Sequence, residues 1–377
     1  MNKWQSRNER NESLLKSTFQ FTNKQAPIVM ADVNYWTFGD NSRLIPDDYY
    51  TSPRSAFNYQ NNKLETHFNE FPEDSYIPFL HPWFGTGVLA SAFGVNIICN
   101  PKADPATDAA ILKTFEDIDS LALPEAGKSG YMARVVDTMN YFMEHSQLPI
   151  SVTDCQGPLA TAFQIAGYDN LCYWMQDDPE RIHLLMDKIS DALIAWVEFQ
   201  KKLTGQPIDG GSFPLGVKLP LGAGGVWISD DDSVIMSSDL YNEFVRPYNE
   251  KVLLHFGGGC IHYCGDSTQN INNYINTKGV TAINNFNLDN MTAAAKIRRA
   301  LREEGIVYMA CDFAPLDHRI DDYYRELAQA MDGPEGLIIA SYPAPAIGLE
   351  KGGYAAVERD RNELSRQVYR SINKYFR

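Results

Sequence analysis

At 377 residues, with 44% hydrophobic and 12% aromatic side chains, the chain carries enough material for a large core, which excludes a disordered polypeptide and suits one elaborated α/β barrel. A net charge of -15 excludes sequence-independent binding to nucleic acid or anionic lipid. The polar segment from Met1 to Arg10, the scatter of six cysteines and the lack of any apolar run near the roughly 20 residues of a membrane span lead us to expect a soluble, cytoplasmic protein with reduced thiols.

Residues 1–26 read as an N-terminal extension, and 28–32 as a first short strand ending in Asp32. Residues 33–75 read as an irregular insertion, polar, aromatic and poor in helix signals, of the kind that covers a binding site. Its Tyr35, Trp36, Tyr49, Tyr50, Phe57 and Tyr59 either wall a pocket or anchor the insertion to the body. The segment from His81 to Gly87 suits a mouth loop, with His81 offering a polar contact and its glycines admitting close backbone approach.

Further strands are expected at 95–99 and 149–154, with 76–80 as another candidate. Asp178-Pro179-Glu180 opens the clearest helix: an aspartate caps free amides, proline tolerates the first turn, and glutamate suits the positive dipole end. Leu185, Ile189, Leu193, Trp196 and Val197 form its apolar stripe, which runs out near Gly205. Short branched or aromatic runs at 225–229, 260–264, 280–284, 306–311 and 337–342 follow, separated by helical segments that end at Gly279, Gly305, Gly333 and Gly336. Eight strands interleaved with helices predict a (β/α)8 TIM barrel occupying 1–377 as a single domain, with its insertion near the mouth.

A barrel gathers reactive groups where its strands end, because the loops there converge on one mouth. That places Asp32, Asp154 with Gln156, Asp230 to Asp232, His262 with Cys264, Asn284, Cys311 and Tyr342 around it, joined by Trp36 and His81. Asp32, Trp36, His81, Gln156 and Asn284 are the expected substrate contacts, and Asp230, Asp231 and Tyr342 the expected catalytic groups. Three adjacent carboxylates either raise one another's pKa in a dry site, making an acid or base, or attract a metal or cationic substrate; the plainer reading is one structural acceptor and two solvated neighbours.

His262 and Cys264 lie two apart on a strand and therefore share a face. Neutral imidazole and thiolate are zinc ligands, and Cys311 is a third donor for such a site. The alternative is a buried cysteine and a hydrogen-bonded histidine that merely line a cavity. The glycine clusters at 222–225 and 257–259 lack dinucleotide or P-loop spacing, so no nucleotide cofactor is expected.

The order of motifs is more specific than any one of them. Asp154-Cys155-Gln156-Gly157-Pro158, then Asp178-Pro179-Glu180, Ile228-Ser229-Asp230-Asp231-Asp232, Phe244-Val245-Arg246-Pro247-Tyr248 and His262-Tyr263-Cys264-Gly265-Asp266 follow one another in a sequence that resembles the uroporphyrinogen decarboxylase superfamily over about residues 149 to 372. The resemblance is closer to its corrinoid-dependent methyltransferase branch. It implies the same barrel, a methyl group moved between a small molecule or thiol and a corrinoid carried by a partner protein, and zinc held by the histidine and cysteine of the His-Tyr-Cys segment plus a cysteine after the last strand. This chain departs there: Ala340-Ser341-Tyr342-Pro343-Ala344-Pro345 has no cysteine, and Tyr342 stands about where the thiolate is expected, so Cys311 or a carboxylate must complete the set. The arginine-rich N-terminal motif of uroporphyrinogen decarboxylase itself is missing from the segment around Asp32, which makes porphyrinogen decarboxylation the alternative activity and a non-catalytic small-molecule-binding barrel the third.

Overall fold

The computed structural model describes residues 4–30, 46–99, 104–212, 217–286, 290–313, 319–342 and 354–377. In chain order the described strands are β1 (Ile28–Met30), β2 (Ile97–Ile98), β3 (Ala106–Thr107), β4 (Gly211–Ser212), β5 (Lys218–Leu219), β6 (Val226–Ser229), β7 (Gly259–Cys264), β8 (Val280–Phe286), β9 (Val307–Phe313) and β10 (Leu337–Tyr342). Six of them form one parallel sheet in the order β1-β10-β9-β8-β7-β6, with helices packed around it. Parallel strands covered by helices must be apolar on both faces, which explains why Leu337, Ile338, Ile339 and Ala340 run consecutively and are all buried.

Two further segments continue the backbone pairing from the sheet's edges. Beside β1, the Ser75 amide donates to the Ile28 carbonyl at 2.6 Å. The same segment reaches the next through the Leu80 amide on Pro149 and the Ser151 amide on Leu80, at 2.9 and 2.8 Å. At the other edge, the Ser229 amide donates to Cys155 and the Gly157 amide to Ser229, around a parallel bridge between Gln156 and Ser229.

The expected strand at 95–99 is corrected: β2 pairs antiparallel with β3 in a ribbon separate from the parallel sheet. Only two residues of that run are paired, and Ile98 is half exposed, so the apolar stretch is too short to serve as a buried stave. The segment at 76–80 makes the parallel contact instead.

The reading of 33–75 as wholly irregular is also corrected, because Pro53–Glu70 is a helix. Ser52 caps it by accepting the Ser55 amide at 3.2 Å, Pro53 occupies the first turn, and Ala56, Gln60, Leu64 and Phe68 bury one stripe. Residues 33–45, and with them Tyr35 and Trp36, lie outside the described residues, as does Asp32. The 1–26 extension contains the helix Gln5–Phe19, whose Arg7 crosses to Asp74 and to the carbonyls of Pro72 and Tyr76.

The long helix forms as its sequence dictates. It spans Pro179–Thr204, Asp178 caps it by accepting the Arg181 amide, and Gly205 closes it in the left-handed region at φ 69°. All five stripe residues are buried. Among the described residues no helix is long and apolar enough to cross a membrane.

Candidate metal and active site

Strand register places the candidate groups side by side. Ser229 on β6 pairs with His262 on β7, His262 with Asn284 on β8, and Asn284 with Met309 on β9. Alternation along β7 sends Tyr263 outward, where it stacks on Tyr274 of the helix Ile271–Asn276 with ring centroids 4.9 Å apart. His262 and Cys264 take the opposite face, as their spacing predicts, and Cys264 Sγ lies 3.6 Å from His262 Nε2. Around the imidazole stand Trp227 at 5.4 Å and Phe286 at 5.9 Å, with Tyr342 at 5.1 Å from Phe286.

The third donor is Asp231. Its Oδ1 lies 3.5 Å from His262 Nε2 and accepts the backbone amide of Cys264 at 2.7 Å. The donor atoms of Asp231, His262 and Cys264 all fall within 4.8 Å of one another. Nitrogen, sulfur and carboxylate oxygen make a set suited to zinc.

Asn284 fixes the imidazole's tautomer. Its Nδ2 donates to the Met309 carbonyl at 3.0 Å and to Cys311 Sγ at 2.8 Å, so its Oδ1 must face His262 and accept from Nδ1 at 2.5 Å. With the proton held on Nδ1, the Nε2 lone pair points at Asp231 and Cys264, as a metal-ligating histidine requires. Cys311, expected as a third ligand, is buried, accepts from Asn284 and is outside the three-donor group among the described residues. The sequence placed it at a strand end but could not show that an amide would stand between it and the histidine.

Burial and the neighbouring carboxylate both oppose further negative charge here. Cys264 opens on the mouth, yet desolvation and then Asp231 push its thiol well above the ordinary range. A bound divalent ion reverses that balance by favouring thiolate over thiol. Asp154 is pushed up to about 6 by desolvation first and by Asp231 second, against the bond from Gln156 Nε2 at 2.7 Å. Gln156 thus reaches the site through Asp154 and the neighbouring Ser229.

Asp230 serves the scaffold. Its Oδ2 accepts from Tyr241 at 2.9 Å and Asn249 at 3.1 Å, on the face opposite the donor group, and burial pushes its pKa up to about 7. Asp232 accepts the Tyr168 hydroxyl. Among the three aspartates, Asp231 alone joins the donor group. His81 is buried between Phe79 and Trp83, with Nδ1 at 2.5 Å from Ser151 Oγ, and desolvation lowers its pKa to about 3. Trp227 and Phe286 were not singled out from the sequence, although counting by two back from Ser229 and on from Asn284 puts each on the inner face.

Comparisons with known proteins bear on the fold and on the resemblance read from the motifs. The uroporphyrinogen decarboxylase (URO-D) family matches residues 71–208. A methylated-thiol–coenzyme M methyltransferase of Methanosarcina mazei is 24% identical over 203 residues, 53% of this chain and 50% of the relative. The match spans about half the length of that curated relative. A solved methyltransferase from Methanosarcina mazei superposes with a TM-score of 0.68 at 12% identity, covering 96% of this chain and 98% of that one, a likeness of fold. These matches bear out the resemblance read from the motif order, including its methyltransferase branch.

Proposed function

From this relationship to the uroporphyrinogen decarboxylase superfamily, we propose that the chain is a corrinoid-linked methyltransferase, moving a methyl group between a small molecule or thiol and a corrinoid carried by a partner protein. The observation that carries the reading is the donor group of His262, Cys264 and Asp231, with Nε2 aimed by Asn284. The full reading is one cytoplasmic (β/α)8 barrel domain over 1–377. The six sheet strands, plus the segments at 74–80 and 149–157 that extend the pairing from both edges, support closure of that barrel.

The chain's own residues divide the work. Asn284 accepts the Nδ1 hydrogen bond so that His262 offers Nε2 as the donor atom. Cys264 supplies sulfur and gives up its proton to do so, while Asp231 supplies oxygen and is steadied by the Cys264 amide. Bound zinc would supply Lewis acidity and keep a thiolate deprotonated at neutral pH. Trp227, Phe286 and Tyr342 would give the donor group an aromatic surround, and Asp154 with Gln156 would orient substrate.

The test combines metal analysis with activity. Protein purified without chelator should carry about one zinc per chain, and Cys264→Ser should lose most of it. Cob(I)alamin with methylated substrates, and methylcobalamin with thiols, should show transfer by corrinoid absorbance. Decarboxylation of uroporphyrinogen with catalytic turnover, and silence in every corrinoid assay, would overturn the proposal in favour of a decarboxylase.

A further inference from the structure

The aromatic side chains around the donor group differ from those in the core. Trp227 and Phe286 face His262 yet remain only partly buried, whereas neighbours on the same strands, such as Val226, Ile228 and Ile283, are fully closed off. Phe286 in turn meets the ring of Tyr342 at 5.1 Å and an interplanar angle of 44°. Three rings therefore cluster beside the imidazole.

The ionisable groups beside these rings are mostly acids. If a divalent ion sits on His262, Cys264 and Asp231, one thiolate and one carboxylate neutralise it, and the Asp154 carboxylate is left over. Without the ion, Asp154 and Asp231 both stand as acids with His262 as their basic neighbour. Asp154 receives bonds only from neutral groups among its described partners, Gln156 Nε2 at 2.7 Å and Ser229 Oγ at 3.5 Å. Among its described hydrogen-bond partners this partly buried carboxylate therefore has no cation in direct contact.

Resting on the methyltransferase reading, we propose that the substrate is a methylated onium ion, a quaternary ammonium or a sulfonium, seated against Trp227, Phe286 and Tyr342 with its charge facing Asp154. Ring faces attract such cations through their quadrupoles, and a methylated onium offers apolar methyls to the rings while its diffuse charge is too weakly hydrated to hold water. The transfer balances without a proton. The bond from methyl carbon to nitrogen or sulfur breaks, its electron pair staying on the departing amine or thioether, and the acceptor nucleophile, of the cob(I)alamin class, supplies the pair for the new bond. An anionic thiol or thioether would instead meet the Asp154 charge.

Calorimetry on the purified full chain tests this with choline, with trimethylsulfonium, with the uncharged carbon analogue of choline in which tert-butyl replaces trimethylammonium, and with methylthioethanesulfonate. Choline or trimethylsulfonium should bind at least about tenfold more tightly than the uncharged analogue, and the better of the two names the element. Asp154→Asn and Trp227→Leu should each abolish the preference, while Trp227→Phe, which keeps a ring and guards against a folding artefact, should retain part of it. Equal binding of the uncharged analogue, or tighter binding of the sulfonate, overturns the inference. Corrinoid assays separate it from the reading beneath: methyl transfer from a neutral thioether that neither onium inhibits sinks the onium site and leaves a methyltransferase. Onium binding with no transfer from any donor sustains the site and removes the methyltransferase.

Discussion

Asp74 and Asp231 are both aspartates paired with a histidine, but they inhabit opposite electrostatic worlds. Asp74 is fully buried and saturated: Arg7 and His67 meet it directly, and the amides of Met30 and Tyr76 donate to it at 3.1 and 3.2 Å. Asp231 keeps 42% of its side chain exposed and touches His262 only at 3.5 Å, with a thiol as the third member. The first cluster has spent its donors and acceptors on joining the helix Gln5–Phe19, the helix Pro53–Glu70 and β1. The second leaves a lone pair, a sulfur and an oxygen facing a shared point. Saturation marks a clasp, whereas convergence with vacant capacity marks a site.

Breaking the clasp should have the largest effect. Asp74→Ala removes the carboxylate from Arg7 and His67 and should cost about 3 to 5 kcal/mol of stability, read as a lower urea midpoint, whereas Asp231→Asn should leave that midpoint nearly unchanged and reduce zinc content instead. Equal destabilisation by the two would erase the distinction.

His81 sharpens it through pH. Its pKa falls from 6.5 to about 3 because burial disfavours the imidazolium. Between those values the unfolded chain binds a proton that the native state refuses, so the contribution weakens stability progressively as pH drops through that window. His81→Gln should therefore lose less of its urea midpoint than wild type between about pH 7 and about pH 4.5. Parallel losses would show that His81 does not set the acid limit.

Smaller effects are expected behind the donor group. Asn284→Ala removes the acceptor that fixes the His262 tautomer and should weaken zinc about 10- to 100-fold in chelator competition. Cys311→Ala removes only one of the two acceptors that orient Asn284 and should weaken zinc less than about tenfold. A loss with Cys311→Ala as large as that with Cys264→Ser would restore Cys311 as a direct ligand.

The legible parts were those governed by local rules. Asp178, the buried stripe and Gly205 delimited one helix, and the spacing of His262 and Cys264 predicted their common face. What escaped depended on which neighbour arrives across the sheet. No local pattern reveals that Asn284 would interpose its amide between His262 and Cys311, since that follows from the register of β7, β8 and β9. Likewise, three consecutive aspartates look equivalent in sequence, yet the strand end turns Asp230 outward and Asp231 inward. The helix Pro53–Glu70 was overlooked for a different reason: its polar, aromatic composition masked the Ser52-Pro53 start signal.

The adjacency of Asp230 and Asp231 ties the mouth to the outside of the molecule. Asp230 is held by Tyr241 and Asn249, on the helices Ser238–Phe244 and Arg246–His255, and its amide donates to the His262 carbonyl at 2.7 Å. Any displacement of those outer helices is thus one peptide bond from Asp231 of the candidate donor group. Variation at Asn249 should therefore shift zinc content without touching any of the three donors.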